Sequence, residues 1–153
     1  MKLLIVPAIL LLASVAFAQG QAATKDIYPA PEVAKAEIKE ALSQAAKLHK
    51  RIILDFGGNW CGDCRALDKY FHEEPNATLL KNNFILVDVN IGQFDKNKDI
   101  AEAYGVPLEK GVPALAVLDS NGKVLFSQKK GEFESMRRME SSAVTEFLNR
   151  WKP

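Results

Sequence analysis

The chain has 153 residues, 48% of them hydrophobic and 25% charged, which fits one globular domain and excludes disordered, collagen-like and low-complexity scaffolds. Twenty basic residues face nineteen acidic ones, so the formal charge is +1 and no basic footprint for nucleic acid or an anionic membrane is present. Two cysteines are too few for a disulfide-stapled mini-protein.

Met1-Lys2 gives a short positive start, and Leu3 to Ala18 is uncharged and mostly apolar. Ala16-Phe17-Ala18 is a small-x-small cleavage signature, followed by polar Gln19-Gly20-Gln21. Residues 1–18 are therefore expected to be a secretory signal peptide. An uncleaved anchor is the competing reading, but the run is short of the ~20 residues a bilayer span needs, and Pro7 interrupts it. Export matters for the cysteines, because a close pair in an oxidising compartment closes unless something reduces it.

Residues 19–30 are polar and irregular and are expected to be a flexible leader, with one folded domain over 31–153. Pro31 and Glu32 suit a helix start, and Ile38, Ala41, Leu42, Ala45 and Leu48 recur at three- and four-residue steps, so an amphipathic helix is expected from Val33 to His49. Arg51 to Phe56 is a continuous apolar run of the kind found in a strand buried on both faces, and Gly57-Gly58-Asn59 ends it. Cys64, Leu67 and Phe71 share one helical stripe. A shorter helix is expected from Pro75-Asn76 through Leu80, a strand over Phe84 to Val89, and a helix over Asp99 to Tyr104. Ala114 to Leu118 and Val124 to Ser127, joined by Ser120-Asn121-Gly122, read as a hairpin. Val144, Phe147, Leu148 and Trp151 mark a closing helix, with Ser141 or Ser142 as its cap. Alternation first and a hairpin last imply an α/β fold with a central mixed sheet of four to five strands flanked by helices.

Trp60-Cys61-Gly62-Asp63-Cys64 carries the chemistry. Cysteines at i and i+3 at the start of a helix lie on one face, within disulfide reach. Cys61 falls at the helix N-terminus, where unpaired N–H groups and the dipole favour a thiolate, whereas Cys64 lies one turn inside and is shielded. Cys61 is thus expected to attack or be attacked, and Cys64 to resolve the mixed disulfide. A purely structural disulfide closes almost no loop and stabilises little. A metal site built from Cys61, Cys64 and either His72 or His49 lacks the fourth ligand of a closed zinc centre.

The segment Ile53 to Cys64 resembles the thioredoxin superfamily signature, a strand, an Asp and then WCxxC at a helix start. Gly111-Val112-Pro113-Ala114 is similar to that family's cis-proline landmark, and Tyr104-Gly105-Val106 to the segment before it. The resemblance covers roughly Lys50 to Gln128 and implies a thioredoxin-like fold. It implies that Asp55 is a buried carboxylate that handles the proton of Cys64, that Pro113 is cis, and that Trp60, Gly62, Asp63, Val112 and Pro113 form the substrate-binding surface. It further implies action on protein disulfides or thiols with no cofactor beyond the cysteines, restoration by a membrane electron donor, and residence in a bacterial periplasm; a monomer without metal is expected, with the oligomeric state open. Four departures stand out. Asp63 replaces the usual proline, and an anion there opposes the Cys61 thiolate, which makes a reductant the expected direction unless Arg65 and Lys69 cancel it. Asp88 falls where a lysine often pairs with the buried Asp. Pro107 to Lys110 looks inserted, and Glu132 to Arg138 is expected to be exposed. Oxidase, isomerase and non-catalytic binding or chaperone roles remain the alternatives. Asn76-Ala77-Thr78 also fits a glycosylation sequon.

Overall fold

The computed structural model describes residues 25–153. The expected signal peptide, and the part of the expected leader up to residue 24, lie outside the described residues. Among the described residues nine helices and strands follow one another: α1 (Ala34–Leu48), β1 (Arg51–Gly57), α2 (Gly62–Phe71), α3 (Asn76–Asn83), β2 (Phe84–Asn90), α4 (Lys98–Ala103), β3 (Ala114–Leu118), β4 (Val124–Ser127) and α5 (Ser141–Trp151). The four strands form one mixed sheet in the order β2-β1-β3-β4, in which β1 pairs with β2 in parallel and with β3 in antiparallel fashion. The expected α/β architecture is therefore present, with four strands and the β3–β4 hairpin at one edge.

The position of β1 follows from its composition. It lies between two strands and under helices on both faces, so six of its seven residues are buried and alternation gives way to a continuous apolar run. Ile52, Leu54 and Phe56 pack with Ile38, Ala41 and Ala45 of α1. Ile53 points to the other layer, with Leu67 and Phe71 of α2 and Val144 and Leu148 of α5. The chain thus arrives at the C-terminal end of its most buried strand just before the two cysteines, which fixes that end against a rigid support.

Four expectations are corrected. Residues 25–30 are irregular but do not lie free: Tyr28 is buried, and the backbone of residues 27–28 is held by the Asn59 side chain. The segment Glu132 to Arg138 is not a solvated run, because Phe133 and Met136 enter the core beside Phe147 and Val144. The closing helix has no serine cap; Glu140 stands at its N-cap without a side-chain bond, and Ser141 is its first residue. Asn76 is fully buried, so its sequon is no surface acceptor.

The Asn76 amide instead ties α3 to α5. It donates to the Tyr70 carbonyl at 3.0 Å and the Ser141 hydroxyl at 3.1 Å, and accepts from the Thr145 hydroxyl at 2.6 Å. Asn76→Ala orphans these partners inside the protein and is expected to cost about 2 kcal/mol, read as a lower denaturant midpoint with an unchanged slope.

Candidate active site

Strand β1 ends at Gly57 because nothing larger fits. A Cβ there would strike the Tyr28 hydroxyl and lie 2.7 Å from the Cys64 sulfur. The chain then turns through Gly58 and Asn59 and enters α2 at Cys61, which is the N-cap of that helix. Cys61 and Cys64 are joined in a disulfide. Cys61 Sγ accepts from the Cys64 backbone N–H at 3.1 Å, the bond a capping residue makes. On reduction the same donor, with the other open N–H groups of the first turn, faces whatever charge the Cys61 sulfur develops. Cys61 retains a sliver of solvent exposure and Cys64 has none. The two sulfurs therefore occupy unequal surroundings, one at the rim and one behind it.

The sequence-predicted surface residues gather around this rim. The Val112–Pro113 peptide is cis, and the Val112 carbonyl oxygen lies 3.7 Å from Cys61 Sγ. The loop is held from behind by Gln128, a buried amide that donates to the Pro113 carbonyl at 3.1 Å and accepts from Leu115 N–H at 3.2 Å. Trp60 is 46% exposed, which rules out a core role for it. Its indole N–H donates to the Gly92 carbonyl at 2.6 Å and its ring packs against exposed Phe94 with centroids 5.5 Å apart. Phe94 sits at φ +64, a conformation rare for an aromatic residue, so the loop holds an apolar ring in solvent at a backbone cost.

Asp63 does not act as the expectation requires. Its carboxylate accepts from Arg137 N–H at 2.8 Å and from the Arg137 guanidinium at 3.1 Å. Partial desolvation pushes the Asp63 carboxyl up, but those two bonds and the charges of Arg137 and Arg138 outweigh it and hold the group below the usual carboxylate range. The same guanidinium lies over Gly62, 3.2 Å from where a Cβ would sit. The anion beside Cys61 is therefore compensated, and by Arg137 from the segment after β4 rather than by Arg65 or Lys69. Arg65 turns the other way and donates to the Asn59 carbonyl at 2.7 Å.

Asp55, two residues before Gly57 on β1, is fully buried and in register with Asp88 on β2 and Leu115 on β3. Burial raises the Asp55 carboxyl well above its ordinary value, the charge of Asp88 adds to this, and a hydrogen bond from Tyr28 pulls partly the other way. One carboxylate oxygen, Oδ2, accepts from the Tyr28 hydroxyl at 3.0 Å, and Oδ1 has no partner among the described residues. Asp88 is pushed up to about 7, chiefly by desolvation and then by Asp68 and Glu37, with His72 opposing. A carboxylate thus replaces the lysine of the resemblance, and two acids share one strand register.

The sequence points to Cys61, Cys64, Asp55, Trp60, Gly62, Asp63, Val112 and Pro113, and the structure sets them on the end of β1, the start of α2 and the loop before β3. The sequence did not single out Tyr28, Asn59, Phe94, Gln128 and Arg137. A Tyr bracketed by apolar and proline residues, Ile27-Tyr28-Pro29-Ala30-Pro31, is the one local signal that pointed to an anchored segment.

A protein-family model described as thioredoxin-like matches residues 33–120. The chain belongs to the thioredoxin-like family. The crystal structure of a protein named as a disulphide isomerase, from Xylella fastidiosa Temecula1, shares 37% sequence identity and superposes with a TM-score of 0.80, over 84% of this chain and 98% of that one. The thiol:disulfide interchange protein DsbD of Photorhabdus laumondii is 25% identical over 103 residues, 67% of this chain. A thioredoxin H-type of Fagopyrum esculentum is 32% identical over 92 residues, 58% of this chain and 68% of its own. The chain spans only 17% of the length of the DsbD relative.

Two consequences are measurable. A carboxyl that keeps its proton to higher pH when folded than when unfolded stabilises the fold most at low pH, and this benefit is lost as pH rises toward the folded value. Asp88→Asn is therefore expected to flatten the decline in unfolding free energy between about pH 4 and 7, and to leave the variant more stable than wild type at neutral pH by on the order of 1 kcal/mol. Arg137→Ala leaves the Asp63 charge uncompensated beside Cys61, which disfavours the thiolate. The dithiol–disulfide constant measured against glutathione is expected to shift toward the disulfide by about three- to tenfold.

Proposed function

We propose that this chain is an exported thiol–disulfide oxidoreductase that reduces disulfides of partner proteins in a bacterial envelope. The observation that carries the reading is the unequal pair of sulfurs: Cys61 at the N-cap and rim of α2, and Cys64 sealed one turn behind it. In the reduced chain, the Cys61 thiolate attacks one sulfur of a partner disulfide. That bond breaks, one partner sulfur leaves as a thiolate, and the other stays bonded to Cys61. Cys64 gives its proton to Asp55 and attacks the Cys61 sulfur, which releases the second partner sulfur as a thiolate. Two electrons have passed to the partner, and the chain ends as the disulfide seen here.

The exposed Trp60–Phe94 pair and the Val112 backbone edge form the surface on which an extended partner segment docks, with Gly62 and Asp63 beside it. Direction follows from the balance of fields around Cys61. The helix end and Arg137 favour the thiolate, while Asp55 and its register partner Asp88 on β2, when ionised, oppose it. Any ionised acid there makes the disulfide relatively more stable and the couple more reducing. Restoring the dithiol takes two electrons and two protons, a role we assign to a membrane-embedded donor. Export rests on residues 1–18, and the DsbD relatives, whose name denotes thiol:disulfide interchange, support the chemistry.

A second reading is favoured by the 37%-identical Xylella fastidiosa structure, whose name is that of a disulphide isomerase. An isomerase uses the same sulfurs without net electron transfer. The pure chain is expected to reduce insulin disulfides with turnover when a dithiol is supplied, and Cys61→Ser to abolish this. Equilibration of wild type with glutathione is expected to give a couple on the reducing side. A strongly oxidising couple overturns the proposed direction, and full biological activity in Cys61→Ser overturns the enzyme reading.

A further inference from the structure

We propose that Tyr28 is a positioning residue of the redox site: its hydroxyl occupies one oxygen of Asp55, leaves the other for the proton of Cys64, and closes the site to water. The inference deepens the exchange reaction proposed above and rests on it. Tyr28 lies before the first helix, in a segment outside the matched family region, which begins at residue 33.

Several independent contacts hold it in place. Asn59, two residues ahead of Cys61, accepts from Ile27 N–H at 2.8 Å and Tyr28 N–H at 2.9 Å and donates to the Tyr28 carbonyl at 2.8 Å. Asn90 at the end of β2 donates to the Pro29 carbonyl at 2.7 Å, and Asn97 before α4 to the Pro31 carbonyl at 2.9 Å. Arg65 of α2 donates to the Lys25 carbonyl at 3.3 Å. Side chains from the active-site turn, α2 and the β2–α4 connection thus bind the backbone of a segment with no regular structure of its own. The result is that Tyr28 is 1% exposed, and its oxygen and the Cys64 sulfur both border the space that a Gly57 side chain would fill.

The chemistry follows from the two oxygens of one carboxylate. Oδ2 is taken by the Tyr28 hydroxyl, and Oδ1 is buried and unpartnered among the described residues. A buried polar atom without a partner is costly, and Asp55 Oδ1 is such an atom, on the carboxylate whose other oxygen is held by Tyr28. In the resolving step the Cys64 S–H bond breaks, its proton goes to Oδ1, and the sulfur's electron pair forms the bond to Cys61 as the partner's sulfur departs. Tyr28 loses nothing; it fixes the plane of the carboxylate and stabilises its charged form with one hydrogen bond. Asp55 is also faced by Asp88 of β2 and Asp68 of α2, with Leu115 of β3 apolar beside it, and Glu37 and His72 stand behind Asp88.

The two parts of Tyr28 act in opposite senses, and this separates its role from simple packing. Burial, to which the packed ring adds, favours the protonated acid, and the hydroxyl bonds the anion, which favours the base. Tyr28→Phe keeps the ring and loses the bond, so the acid limb of the resolving step moves to higher pH. Tyr28→Ala admits water and moves that limb to lower pH.

The test uses the full chain in its reduced form and an aryl disulfide whose thiolate is coloured. The first equivalent released reports attack by Cys61 and the second reports resolution by Cys64. In Tyr28→Phe the first phase is expected to match wild type, while the second slows about tenfold at neutral pH and recovers at higher pH. In Tyr28→Ala the limb is expected to move the other way. Identical second-phase pH profiles in wild type and Tyr28→Phe, or limbs that move the same way in both variants, overturn the assignment of Tyr28 while wild-type turnover leaves the exchange reading intact. A wild-type chain that releases neither equivalent overturns both.

Discussion

The bond from the Cys64 backbone N–H to the Cys61 sulfur is the interaction that organises the site and the elements around it. It makes a cysteine the N-cap of α2, so the sulfur inherits the open N–H groups and positive end of a ten-residue helix. A serine or asparagine at this position caps equally well; a thiol adds a group that ionises near neutral pH and exchanges bonds. Everything around it serves placement. The apolar strand β1 delivers the chain to the point, the missing side chain of Gly57 lets it turn above Tyr28, and α2 buries Cys64 on the stripe that also anchors Leu67 and Phe71.

Charge around this sulfur is arranged in two layers of opposite sense. Above it, the helix end and the Arg137 guanidinium over Gly62 favour an anion, and Arg137 also cancels Asp63. On the strands leading to it, Asp55 and Asp88 stand in register, both raised by burial. Burial makes this second layer conditional. An acid that holds its proton exerts little field, so the opposition to the thiolate grows as pH passes through the range where Asp88 ionises.

Much of this was legible in the chain because it rests on local rules. The strand–turn–helix order, the one-turn spacing of the cysteines and the Val112-Pro113 loop are written in consecutive residues, and they carry the eight expected site residues. What was hidden depends on side chains that meet across long sequence distances. Asp63 looked like a repulsive neighbour of Cys61 because its partner, Arg137, is seventy-four residues away. The Glu132 to Arg138 run looked solvated on composition, yet Phe133 and Met136 within it are buried and turn that segment onto α2. Tyr28 looked like part of a loose leader because an unstructured segment bound by asparagine side chains leaves no periodic trace. Asn76 matched a surface motif whose three residues say nothing of burial.

The chemistry turns on the ionisation of one sulfur, and alkylation of the reduced chain at graded pH, with each cysteine mapped by mass, tests it most directly. Cys61 is expected to react as a thiolate with an apparent pKa below the ~8.5 of a free thiol, while Cys64 stays unmodified until the protein unfolds. Equal reactivity of the two thiols, or a Cys61 that titrates at or above the free value, contradicts this assignment of roles.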